Sequence, residues 1–190
     1  FINQHKGKSG IIYCLSRKRV EKVADQLAEH GFAVDAYHAG LNSETRREVQ
    51  ERFLHDDLQI VVATVAFGMG IDKSDIRFVV HYDIPKNIES YYQETGRAGR
   101  DGGEGLCIAY YSLDDLQKFE KFAKDKGVAE QEIASHLLFE TISFAESSVC
   151  RRTQLLHYFG ESYPEKNCET RDNGLYPKDK FDATEEVKLV

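Results

Sequence analysis

Three short apolar runs, IIYCL (Ile11–Leu15), IVVAT (Ile60–Thr64) and FVVHY (Phe78–Tyr82), constrain this chain more than any other feature. They are largely apolar end to end instead of alternating with polar residues, so each predicts a strand buried on both faces. The predicted strands are Gly10–Leu15, Phe32–His38, Ile60–Thr64, Arg77–Tyr82 and Gly105–Tyr111. Stretches with helical period separate them. Lys18–His30 places Val20, Val23, Ala24 and Leu27 on one face before Gly31, a residue suited to ending a helix. Ser43 is the expected cap of a second helix buried along Val49 and Phe53, with Arg46 where a capping box would carry Glu. Ser90–Thr95 reads as a short helical turn. Such alternation implies an α/β domain, a mostly parallel sheet with helices on both faces.

After Ser112 the strand-like runs stop, and Leu113–Gly127, Glu130–Phe144 and Val149–Tyr158 carry helical periodicity. The expected division is an α/β lobe at 1–112, a small helical subdomain at 113–163 and a polar loop or tail at 164–190. Leu137, Leu138, Ile142, Phe144, Leu155, Leu156 and Phe159 are its candidate core. A hydrophobic content of 41% in 190 residues is enough for a real core. The net charge of -7 argues against coating nucleic acid by bulk charge, although a local basic patch can coexist with it. No apolar run approaches the ~20 residues of a membrane span and no signal peptide is recognised, so no membrane partner and a cytoplasmic location are the default expectation. The chain opens at Phe1 and leads at once into a strand, so a longer polypeptide is expected. Of four cysteines, Cys14 and Cys107 lie in apolar runs as small buried hydrophobes, whereas Cys150 and Cys168 need another explanation.

Three segments could address a phosphate. Gly7-Lys8-Ser9 resembles the end of a phosphate-binding loop, but Ile2 stands where that loop needs glycine, and the segment precedes a strand instead of opening a helix. It is a polar lead-in, and the chain carries no Walker A loop and no DExH motif for Mg²⁺. TVAFGMGIDKSD (Thr64–Asp75) follows a strand, and there Gly68 and Gly70 would let a ligand approach the backbone while Asp72 could accept from a ribose hydroxyl. The same residues also suit a plain tight turn. QETGRAGRDGG (Gln93–Gly103) sets Arg97 and Arg100 among glycines. Arginine's rigid, permanent charge suits a phosphoryl-transfer transition state; the alternative is a surface loop with ion pairs to Glu94 and Asp101.

The order of these segments carries a resemblance. GIIYCLSRKRVEKVADQL, AYHAGL, IVVATVAFGMGIDKSDIRFVVHYDIP and SYYQETGRAGRDG resemble motifs IV, IVa, V and VI of RecQ-type ATP-dependent DNA helicases, and CRRTQLLHYFGE resembles the first cysteine segment of that family's zinc-binding subdomain. The resemblance implies the second of two RecA-like lobes, with ATP and Mg²⁺ held mainly by a first lobe that this chain lacks. Arg100 would be the arginine finger, Arg97 and Gln93 would couple nucleotide state to lobe closure, and Gly70 and Asp72 would line the nucleotide side. Ser16, Arg17, His38, Ala39, Gly40 and Thr64 are similar to positions that grip the phosphates of single-stranded or partially duplex DNA; His38 is otherwise a satisfied histidine at a strand end. The implied activity is 3′-to-5′ unwinding in DNA repair and recombination, in the bacterial nucleoid or the eukaryotic nucleus. This chain would be inactive without its partner lobe.

The family pattern places four cysteines on zinc, whereas here Cys150 and Cys168 fill two positions and Arg171 and Gly174 stand in the others. Neither can ligate a metal, so no metal residues are assigned and zinc is not expected. These substitutions favour the alternative reading, a non-catalytic nucleic-acid-binding or scaffolding module derived from a helicase lobe. The full arginine motif opposes it.

Overall fold

The computed structural model describes residues 1–68, 71–112, 119, 127–165 and 167–177. Five strands, β1 (Gly10–Tyr13), β2 (Val34–Tyr37), β3 (Ile60–Ala63), β4 (Phe78–His81) and β5 (Leu106–Ala109), form one sheet. Its order is β2-β3-β1-β4-β5, and every pairing is parallel. The register aligns the strand ends, with Tyr13 opposite both Ala63 and His81, and Tyr37 opposite Ala63. Each observed strand lies inside the range expected from its apolar run.

Successive side chains point to opposite faces of the sheet, and both faces are covered. Ile11, Tyr13, Val61, Ala63 and Val79 pack on one face with Val49 and Phe53 of α2 (Ser43–Leu54). On the other, Ile12, Cys14, Ile60, Val62, Phe78 and Val80 pack with Val20, Val23 and Ala24 of α1 (Arg17–Glu29). Burial pushes the Cys14 thiol up to about 12, helped by the Asp83 charge, so it remains an inert hydrophobe. Cys107 differs from the expectation: β5 is an edge strand, and its thiol is only half-buried, lying 3.7 Å from the Thr95 carbonyl.

The helix caps refine the sequence reading. Asn42, not Ser43, caps α2, its Oδ1 accepting from the Thr45 amide at 2.8 Å. Asn87 does the same for α3 (Ile88–Thr95), accepting from the Ser90 amide at 2.9 Å. That helix therefore starts two residues before the expected turn.

Contacts divide the chain into two compact units, Phe1–Thr141 and Ile142–Val190. The division falls within α4 (Val128–Glu146). The helix expected over 113–127 and the boundary after Ser112 open onto residues outside the described ones. In the second unit Ile142, Phe144 and Leu155 are buried, Leu155 lying on α5 (Arg151–Tyr158). Phe159, expected in the core, is exposed.

The segment 167–177 is also more ordered than the loop expected there. A short helix, α6 (Asp172–Leu175), is tied down when the buried Asn173 donates its side-chain amide to the carbonyls of Ser147 (2.7 Å) and Val149 (2.8 Å). Hydrogen bonds to backbone carbonyls thus help to hold this segment in place.

Gly10 begins β1 with no room for a side chain: a Cβ there would stand 2.0 Å from the ring of the fully buried Phe78. Gly10→Ala is expected to cost about 1–3 kcal/mol through overpacking, read as a lower denaturant midpoint. An unchanged midpoint would mean that the Phe78 ring moves aside freely.

Candidate nucleotide and nucleic-acid site

Parallel alignment brings the loops after β1, β2, β3 and β4 to one edge of the sheet, where α/β folds bind ligands. After β1, the Leu15 amide donates to Asp83 Oδ2 at 3.0 Å, and Ser16 caps α1 by accepting from the Arg19 amide at 3.3 Å. Arg17 is exposed and lies against the loop after β2, where a Cβ on Gly40 would meet its Nη1 at 2.9 Å. His38 is only 3% exposed. Its Nδ1 accepts from the Gly40 amide at 3.2 Å and its Nε2 lies 3.2 Å from Glu21 Oε1. Both ring nitrogens are thus committed, and His38 holds the loop that exposes Ala39 and Gly40.

The loop after β3 begins with half-buried Thr64, whose hydroxyl oxygen accepts from the Ala66 amide at 3.4 Å. Phe67 is buried, and its carbonyl accepts from the Tyr13 hydroxyl at 2.9 Å. Gly70 lies outside the described residues. Asp72 is exposed, which leaves its carboxylate accessible. Beside it, Lys73 is buried to 5% exposure, with Nζ 2.7 Å from Asp56 and 3.1 Å from Asp75. Burial alone would lower its amine, but the bonds to both carboxylates outweigh that and raise it. A charged amine therefore anchors the far end of the loop.

α3 and the turn after it carry the arginines. Backbone bonds staple this turn to the approach of β4: the Gly99 amide donates to the Ile76 carbonyl at 2.9 Å and the Asp101 amide to that of Ser74 at 3.2 Å. Gly99 and Gly102 have φ of +68° and +82°, a region costly for other residues. Asp101 also accepts from Arg77, with Nη1 2.9 Å from Oδ1, and this partner holds its carboxyl well below the usual range. Arg97 is half-buried against the loop after β3, since a Cβ on Gly68 would meet its Nη2 at 2.4 Å. Arg100 is exposed; its Nε donates to the Gly96 carbonyl at 3.2 Å and, among the described residues, it makes no ion pair. Gln93 is exposed on α3.

The acids flanking the arginines do not neutralise them, contrary to the surface-loop alternative. Asp101 is taken by Arg77, and Glu94 turns inward, where its Oε2 lies 2.6 Å from His81 Nε2. Both members of that pair are buried, and sequence reasoning missed it. The available signal was the histidine inside the otherwise apolar run FVVHY.

In the second unit, Cys150 and Cys168 are both buried and hydrogen-bonded to each other. Burial raises the Cys150 thiol, but bonds from Thr153 and Cys168 outweigh it and bring it to about 6. The rest of the set does not fit zinc. Among the described residues no cluster of three or more His, Cys, Asp or Glu could hold a metal ion. A Cβ on Gly174 would stand 2.3 Å from Asn167 Oδ1, so the position has no space for a ligating side chain. Around it, Arg151 grips Asp172 at 3.0–3.3 Å and Asn167 donates to the Gly174 carbonyl at 2.8 Å.

Comparison with known proteins agrees with this architecture. The family model "Helicase conserved C-terminal domain" matches residues 1–102, and "RecQ zinc-binding" matches 113–174. Among curated relatives, the ATP-dependent DNA helicases RecQ of Pasteurella multocida and Haemophilus influenzae are 47% and 46% identical over 100% of this chain, which spans 30% and 31% of their lengths. The RecQ-like DNA helicase blm-1 of Caenorhabditis elegans is 45% identical over 86% of this chain and 17% of its own length. Among solved structures, a DEAD box protein from Methanococcus jannaschii superposes with a TM-score of 0.55 at 28% identity, covering 72% of this chain and 35% of that one. The parallel sheet is thus a RecA-like C-terminal lobe followed by a helical region. By its motifs, its fold and these matches along its length, the chain belongs to the RecQ helicase family and carries that family's C-terminal helicase domain.

Proposed function

We propose that this chain is the second RecA-like lobe of an ATP-dependent 3′-to-5′ DNA helicase acting in repair and recombination, at the bacterial nucleoid or in the nucleus. On this reading the lobe is 1–112, the helical part of a zinc-type subdomain is 113–163, and 164–190 carries a degenerate zinc motif. The observation that carries it is Arg100, an exposed guanidinium that makes no ion pair among the described residues, on a turn stapled to the sheet edge. Its donor fork suits the extra negative charge of a phosphoryl-transfer transition state. ATP and Mg²⁺ bind mainly to a partner lobe of the same protein, which supplies the phosphate-binding loop absent from this sequence. Arg97 and Gln93 couple nucleotide state to lobe closure, and Gly70 and Asp72 line the nucleotide side. When the lobes close, Arg100 meets the γ-phosphate and withdraws as they reopen.

Single-stranded and partially duplex DNA lies along the loops holding Ser16, Arg17, His38, Ala39, Gly40 and Thr64. Donors such as the Ser16 hydroxyl and the Arg17 guanidinium address phosphates without reading bases, as a motor moving over any sequence requires. His38 acts through the loop that it holds, because its ring nitrogens already have partners. Among the described residues no helix is long and apolar enough to cross a membrane.

The subdomain uses hydrogen bonds in place of zinc. Two thiols are half the ligand set of a structural site, and the Arg151–Asp172 pair with the Asn167 and Asn173 amides closes the turn instead.

Three outcomes are expected. In a two-lobed protein carrying this chain, Arg100→Ala cuts DNA-stimulated ATP hydrolysis by about 10³-fold or more with DNA affinity retained, while this chain alone hydrolyses none. Hydrolysis surviving the substitution would refute the finger. Arg17→Ala weakens binding of unrelated DNA sequences alike and lowers the salt slope of log K by about 1; a sequence-selective loss would contradict a phosphate contact. Elemental analysis of the purified chain finds zinc well below one per chain, and a chelator leaves the melting midpoint in place. Asn173→Ala, by contrast, costs about 1–2 kcal/mol. Stoichiometric zinc would overturn the hydrogen-bonded closure.

A further inference from the structure

The inward turn of Glu94 on a helix that carries exposed Gln93 begins a closed circuit of contacts. Glu94 Oε2 lies 2.6 Å from His81 Nε2, where β4 ends. The His81 ring stacks on Tyr13 at 5.6 Å with 22° between planes, and Tyr91 of α3 is tilted against the same ring at 5.5 Å. Tyr13 then donates its hydroxyl to the Phe67 carbonyl at 2.9 Å, and burial keeps the phenol a neutral donor. The next residue, Gly68, is the seat of Arg97, which returns the circuit to the turn after α3. The loop after β3 and the arginine turn are thus joined through the interior of the sheet.

His81 is a costly residue for that place. It is 1% exposed, its Nδ1 has no hydrogen-bond partner among the described residues, and its neighbours in β4 are valines and phenylalanine. A buried polar atom left unsatisfied costs about 1–3 kcal/mol, so an apolar side chain would pack there at less expense. What the imidazole adds is direction: a short bond with Glu94 fixes the rotation of α3 about its axis, which packing alone sets loosely.

We propose that Tyr13, His81 and Glu94 form a buried positioning triad that fixes Arg97 on Gly68 and thereby aims Arg100. The inference rests on the helicase reading for its catalytic consequence, but its structural core is testable in this chain alone. Glu94→Ala should speed amide exchange at Gly99 and Asp101 by about tenfold or more while leaving Cys14, bonded to the Ala63 carbonyl, unchanged. Glu94→Gln should restore most of the protection, because a carboxamide oxygen still accepts from Nε2–H. Tyr13→Phe, which deletes only the hydroxyl, reads the same link from the other end and should loosen the turn in the same direction.

In the two-lobed protein, Glu94→Ala should lower kcat by about tenfold or more, since small misplacements of a catalytic group are that expensive. KM for ATP and DNA affinity should stay within about twofold, a split that general loss of fold would not produce. Unchanged exchange at Gly99 and Asp101, or acceleration spread over the whole sheet, overturns the triad. Should Glu94→Ala fail to fold, the Glu94→Gln and Tyr13→Phe pair decides: equal exchange in both and in the parent chain refutes it. A parent two-lobed protein without DNA-stimulated hydrolysis refutes the helicase reading instead, and leaves the exchange result standing.

Discussion

Parallel register is the constraint on which everything else in the first unit depends. Because Tyr13 lies opposite both Ala63 and His81, and Tyr37 opposite Ala63, four strands end at one level. The chain must leave each end into a loop, and those loops share one edge. Residues as distant in sequence as Arg17, Phe67 and Arg97 are neighbours along that edge for no other reason. A slip of one residue in any strand would exchange its two buried faces and move its loop out of line. The cores on both faces therefore protect the site as well as the fold.

Within that frame, two buried polar side chains each join separate segments. Lys73 ties the loop after β3 to Asp56, in the connection between α2 and β3. His81 ties β4 to α3 through Glu94. Buried polar pairs are poor sources of net stability, because desolvation offsets most of the attraction. They are good at excluding alternative arrangements, since a rotated helix would leave a buried polar group without its partner. Their placement next to the arginine turn and its neighbouring loop matches that use.

The fold was largely legible because a strand buried on both faces has an unmistakable composition. IVVA and FVVH could hardly be surface segments, and Val20, Val23 and Ala24 announced one helical face. Caps were less legible: Asn42 and Ser43 are both competent, and only the path of the chain decides between them. Least legible were pairings set by tertiary geometry. Glu94 looks like any surface acid beside an arginine, and its partner is thirteen residues away on another element. Asp101 finds Arg77 across a wider gap of 24 residues. The residues of the candidate site could thus be named from their order, while what orients them could not. The segment 167–177 shows the same limit, since its order comes from Asn173 reaching back to carbonyls near residue 148, and no composition signals such a bond.

Gly174 has a consequence for how this subdomain can change. Its missing side chain leaves room for Asn167 Oδ1, which occupies the space where a Cβ would sit. A cysteine at 174 alone would meet that obstruction and still leave the thiols one ligand short. A cysteine at 171 alone would also leave three ligands. Neither single step reaches a tetrahedral site, and one of them strains the present turn. The hydrogen-bonded closure therefore behaves as a ratchet: recovering a metal requires two substitutions and a movement of Asn167 together.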